Sequence, residues 1–222
     1  MIRIARLSQL TAAALASLSA TAMSPAAAHP HIFVNGGVDF VLDDQDRLDA
    51  LKITWIFDAF ESLYLLSAVG QIPAANGALD PVARDVLIGE FALLLEEFSG
   101  SAHLTAGAAP VALGEASDLD VDLVNGRVQL TFQRRPDSPL EILSQDLEVG
   151  FYEATYFYDF SATTEPQVFG GTPDCRAETI LFNPDTQLVA LQSTLSDLSR
   201  EETPAIENVG ALFADRIVLK CD

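Results

Sequence analysis

Eight residues, Leu51 to Asp58 (LKITWIFD), place the strongest constraint on how this chain folds. Leu51, Ile53, Trp55 and Phe57 alternate with Lys52, Thr54, Ile56 and Asp58. A period of two gives a strand one buried face and leaves no helix face apolar. The preceding segment, His31 to Leu42, is also extended, with Val38, Phe40 and Leu42 on one face and Gly36-Gly37 suggesting a bulge. The acidic turn Asp43-Asp44-Gln45-Asp46 joins the two strands as a hairpin. Asp44, Asp46 and Asp49 lie close together there, but the glycine and distal glutamate of an EF-hand loop are missing, so the turn reads as solvated.

After Asp58 the period changes. Phe60, Leu63, Tyr64 and Leu66 recur at helical spacing up to Gly70, and a second helix follows from an Asp80 N-cap with Pro81 at its first position. Pro73 to Gly77 reads as the loop between them. Residues 101–117 are small and irregular, with a short strand at His103 to Thr105 and His103 itself read as a loop histidine. Next, Leu119, Val121 and Leu123 alternate with Asp118, Asp120 and Asp122, and Asn125-Gly126 turns the chain into Val128, Leu130 and Phe132. The aspartate stripe is expected to face water.

Strands are expected at Leu147 to Phe151, Thr155 to Phe160, Thr179 to Phe182 and Leu188 to Leu191, then a short helix at Ile206 to Ala214 and a strand from Ile217 to Cys221. Tyr152, Tyr156 and Tyr158 share a parity, which suits cross-strand core packing. Strands joined by hairpins, with two adjacent helices inserted after the second strand, predict an α+β fold, mainly antiparallel and sandwich-like. Strand–helix–strand alternation, the mark of a parallel α/β sheet, is missing.

Residues 1–28 read as an export signal: Arg3 and Arg6, an apolar run from Leu7 to Ala22, and Ala26-Ala27-Ala28 as a cleavage site. Residues 29–222 are then expected to form one periplasmic domain. Beyond the signal no stretch offers the roughly 20 apolar residues of a membrane helix. The formal charge of −20 argues against nucleic acid and anionic lipid as partners. Cys175 and Cys221 are the two cysteines, and in an oxidising compartment they are expected to pair, closing a loop worth on the order of 4 kcal/mol.

Two of the three histidines, His29 and His31, flank Pro30 directly after the cleavage site. Cleavage would give His29 a free α-amino group, which with its ring nitrogen and the ring of His31 offers three nitrogens to zinc, nickel, cobalt or copper. Pro30 has no amide proton, which removes the mode that binds copper through deprotonated amides of residues two and three. A remaining ligand would be a carboxylate. Asp58 is one candidate, although Asp58-Ala59-Phe60-Glu61 also fits a helix capping box. Glu153, in the aromatic run Phe151 to Phe160, is the other. No nucleophile elbow, phosphate loop or His-Glu-x-x-His helix is present, so a non-catalytic role is expected. The alternatives are a copper histidine-brace enzyme, for which His103 is the third imidazole available, and a non-catalytic interaction domain in which the histidines are structural.

His29-Pro30-His31, Thr54-Trp55-x-Phe57-Asp58-x-Phe60, the Phe151 to Phe160 segment and Gly210-x-x-Phe213-Ala214-x-x-Ile217-x-Leu219-x-Cys221 together resemble the domain of unknown function 1007 family, over nearly the whole mature chain. The resemblance implies a bacterial periplasmic component of the ABC-transport type, found beside nickel/cobalt permeases or in zinc-related loci. It therefore implies metal binding, with an inner-membrane metal permease or ABC transporter as partner. The family commonly has aspartate and proline after the tyrosine where this chain has Glu153-Ala154, which keeps a carboxylate but moves it by one methylene.

Overall fold

The structure, a computed structural model, describes residues 30–71, 77–98, 101–143, 146–171, 174–199 and 201–221. The expected export segment, His29 and most of the Pro73–Gly77 loop lie outside them. The expected first hairpin forms from β1 (Ile32–Leu42) and β2 (Arg47–Phe57). Its acidic turn is tied inward: the Asp43 carboxylate accepts from the Gln45 and Arg47 N–H groups and from the Arg47 guanidinium. Gly36 and Gly37 do not bulge. They stay in register with Trp55 and Thr54, and the shift falls between Val41 and Leu42. Gly36 is needed instead for close approach, since a Cβ there would lie 1.9 Å from the Thr54 carbonyl oxygen.

Helices α1 (Ala59–Ala68) and α2 (Pro81–Glu97) follow as expected, capped by Asp58 and Asp80, whose side chains each accept two N–H groups of the first turn. The chain continues through β3 (Ala102–Ala106), β4 (Ala109–Pro110) and the Asn-Gly hairpin of β5 (Ser117–Val124) and β6 (Arg127–Arg134). Asp118, Asp120 and Asp122 face solvent. Short β7 (Leu140–Glu141) precedes β8 (Leu147–Phe151), β9 (Tyr158–Ala162), β10 (Val168–Phe169) and β11 (Cys175–Ile180). Last come α3 (Thr186–Leu195), a 3-10 turn (Val209–Phe213) and β12 (Asp215–Cys221).

Four further expectations are corrected. The segment expected as a strand from Thr155 begins pairing only at Tyr158, because residues 152–157 form a turn. Leu188 to Leu191 is helical: Asp185 caps α3 through the Gln187 and Leu188 N–H groups, and Leu188, Leu191 and Leu195 pack at helical spacing on one side. The Ile206 to Ala214 helix shrinks to the 3-10 turn. His103 belongs to β3 and not to a loop.

The strands form two mainly antiparallel sheets, so the fold is α+β with two adjacent helices after the second strand. One sheet runs β10-β1-β2-β6-β5, with β9 joining β10 as a parallel neighbour of β1 and β7 joining β2. The other runs β11-β12-β8-β3-β4. A continuous apolar core draws on both: Val34, Phe40, Ile53 and Phe132 from the first, Leu104, Val149, Phe151 and Ile217 from the second. Trp55 is fully buried there, edge-on to Phe98 and Phe132, and its indole N–H donates to Ser101 Oγ at 2.7 Å. A smaller apolar cluster, Tyr156, Leu195, Val209 and Phe213, lies outside this core. Cys175 and Cys221 sit opposite each other on β11 and β12, Cα atoms 4.1 Å apart, and are disulfide-bonded.

Candidate functional site

Three of the expected site residues gather at one end of the first sheet, where β1 begins. His31 precedes β1, and its N–H donates to the Phe157 carbonyl at 2.9 Å; the Ile32 N–H reaches the same oxygen at 3.3 Å. The His31 ring lies 4.9 Å from the Phe157 ring, and its Nε2 is buried. The histidine is thus held by the parallel pairing of β1 with β9, two residues from the expected chain end. His29 lies outside the described residues.

Asp58 closes β2. Oδ1 accepts the Phe60 and Glu61 N–H groups at 2.7 and 2.9 Å, and Oδ2 accepts the Phe33 N–H at 3.4 Å. Its own N–H donates to the Phe33 carbonyl, so that donor of the expected capping box is satisfied by β1. Asp58 therefore ties the start of α1 to the start of β1.

Glu153 is 8% exposed, and its charge is balanced by a dense set of donors. Oε1 accepts the Thr155 N–H at 2.7 Å; Oε2 accepts the Thr155 hydroxyl and the Phe157 N–H, both at 2.9 Å. A buried carboxylate is tolerated where such hydrogen bonds replace water. They curl residues 153–157 into a turn, with Tyr156 at φ 60°. The Tyr156 N–H bonds back to the Glu153 carbonyl. Gly210 presses on the turn from outside: its N–H donates to Ala154, and a Cβ there would stand 1.8 Å from the Glu153 carbonyl oxygen. Glu153 and His31 meet through one residue, since Phe157 gives its N–H to the first and its carbonyl to the second.

The fold places these residues together, but both carboxylates already accept backbone N–H groups. Among the described residues no group of three histidine, cysteine, aspartate or glutamate side chains is placed to hold a metal. His103, the third imidazole, is on the second sheet, paired with Gly150. Its ring stacks on Tyr152 at 3.9 Å, and Nε2 lies 3.1 Å from the Tyr152 carbonyl, an acceptor, so Nε2 carries the proton and Nδ1 the lone pair. Burial pushes its pKa below the ordinary imidazole value.

The family model described as "Protein of unknown function (DUF1007)" matches residues 14–221. The chain belongs to this family. A search of curated proteins finds no match. For this DUF1007 chain the sequence motifs fall on particular structural tasks: Trp55 fills the core, Asp58 caps α1, the Phe151 to Phe160 segment forms the Glu153 turn, and Gly210 allows that turn to approach. Among the described residues no helix is long and apolar enough to cross a membrane.

One acidic residue escaped the sequence reading. Asp215, 8% exposed at the start of β12, accepts the Ala162 N–H at 2.8 Å and the Phe182 N–H at 2.7 Å. Its Ala214-Asp215-Arg216 context resembles any strand start, and its partners are 53 and 33 residues away. No local pattern marks it.

Proposed function

We propose that this protein is an exported, periplasmic accessory protein that binds a divalent transition metal at its mature chain end and exchanges it with an inner-membrane metal transporter. The observation that supports this best is the anchoring of His31. Most chain ends fray, yet the His31 backbone is bonded to Phe157, which the buried Glu153 carboxylate positions in turn. Signal cleavage after Ala28 would leave the amine of His29 two residues from that fixed point.

In this reading His29, through its amine and ring, and His31, through its ring, hold the metal. Amine and imidazole nitrogens suit zinc, nickel, cobalt or copper. Three ligands from one chain end leave a coordination position open, as exchange with a partner requires. Asp58 and Glu153, already engaged by backbone donors, serve the site by fixing β1 and Phe157, and either could lend a further lone pair.

The test is calorimetric titration of zinc and of nickel into protein beginning at His29, beside a His29→Ala/His31→Ala double variant and a chain with one extra residue before His29. The double variant is expected to lose at least ~100-fold in affinity and the extended chain about 10-fold, the amine being one ligand of three. Equal affinity in the wild type and the double variant ends the metal reading.

A further inference from the structure

A cavity of about 290 Å³ opens between β9, α3, the 3-10 turn and the start of β12. Three aromatic rings form an arc in its wall: Tyr156 lies 4.5 Å from Phe213, which meets Phe182 edge-on at 5.7 Å. Gln192 of α3 donates its side-chain N–H to the Tyr156 hydroxyl at 2.8 Å, fixing the buried phenol. Two carboxylates share this wall. Asp215 is satisfied by the Ala162 and Phe182 N–H groups. Asp159 has no hydrogen-bond donor and no cation among the described residues, whose ion pairs all lie elsewhere. Burial and the nearby Asp215 charge push its pKa up.

We propose that this cavity is a binding site for a small organic ammonium ion, with Asp159 as its counter-charge and the Tyr156–Phe213–Phe182 arc as its apolar wall. The chemistry is complementary on three counts. A carboxylate without a cation favours a positive ligand over a neutral one. Aromatic rings attract cations of low charge density, such as alkylammonium groups, through their quadrupoles, and Phe182, the most exposed of the three, is the ring open to one. The volume is near the lower end for small-molecule sites, which suits a compact amine. A bare metal ion fits less well, because the wall offers one unengaged carboxylate, and no group of three ligating side chains occurs among the described residues. The cavity shares no lining residue with His31, and its assignment does not rest on the metal reading.

The experiment titrates the protein with choline and with isopentylammonium, each beside its neutral counterpart: the carbon isostere of choline, and isopentanol. Binding is followed by calorimetry and by backbone amide shifts. At least one ammonium is expected to bind about 10-fold or more tightly than its neutral partner, moving amides of Tyr156, Asp159 and Phe213. Asp159→Asn is expected to erase that preference without lowering its melting temperature. No ammonium preference in the wild type, shifts confined to other surfaces, or a preference that survives in Asp159→Asn would each overturn the assignment. The comparison of charged and neutral ligands on the wild type decides the matter even if the variant folds poorly.

Discussion

Two carboxylates six residues apart, Glu153 and Asp159, show opposite ways of keeping an acid inside a protein. Glu153 is the more buried, yet three donors from its own turn surround it. Asp159 is only partly buried but has no donor among the described residues, and its neighbour in the cavity is another carboxylate. The first is built into the backbone path. Removing it should destabilise the fold, while changing the second should cost the fold nothing and disturb what enters the cavity. Hydrogen bonding, more than depth, separates a structural acid from one left open to a ligand.

The largest effect that would test this contrast is at Glu153. Glu153→Ala removes the acceptor for two N–H groups and a hydroxyl, at a cost of about 3 kcal/mol. For a chain of this size the melting temperature should fall by roughly 6–12 °C. Glu153→Gln keeps one acceptor oxygen and should fall between. If thermal denaturation shows Glu153→Ala no less stable than Asp159→Asn, the contrast is wrong.

Gly210→Ala attacks the same turn from outside without touching the Glu153 carboxylate. The added methyl would overlap the Glu153 carbonyl, and backbone cannot rotate away as a side chain can. A loss of about 2 kcal/mol is expected, read as a lower denaturation midpoint. Gly89→Ala in α2, where an added Cβ meets nothing within 4 Å, is the matching control and should stabilise slightly.

The contrast was only partly legible in the sequence, for a physical reason. Regular pairing announces itself: the alternation of Leu51 to Phe57, the Asn125-Gly126 turn and the Asp80-Pro81 cap each impose a local rule, and each element formed where the rule put it. The Phe151 to Phe160 run misleads because its aromatics alternate as in a strand, while Glu153 captures the Thr155 and Phe157 amides and bends the chain first. In α3, Leu188 and Leu191 looked like a short buried strand, and the signal overlooked was Asp185, an N-cap after Pro184. The chemistry of His29-Pro30-His31 was readable as nitrogen ligands at a chain end. That Asp215 and Asp159 share a cavity was not, since it depends on where β9 and β12 pass each other, and no local spacing encodes that.

The smallest effect lies at Asp159, and its sign is the informative part. Burial and Asp215 raise its native pKa above the usual 3.8, so the folded protein holds this proton more tightly than the unfolded chain does. Between the two pKa values the native state carries the extra proton, and by linkage its stability falls as pH rises through that window. Below 3.8 both states are protonated and the penalty vanishes; above the raised native pKa it is fully present. Asp159→Asn removes the titration. The variant should therefore match the wild type in strongly acidic buffer and be the more stable of the two near neutrality. Chemical denaturation of both proteins across this pH range measures the difference. A gap of the opposite sign would mean that Asp159 is held by a partner in the folded protein, as Glu153 is, and would remove the reason for leaving it to a ligand.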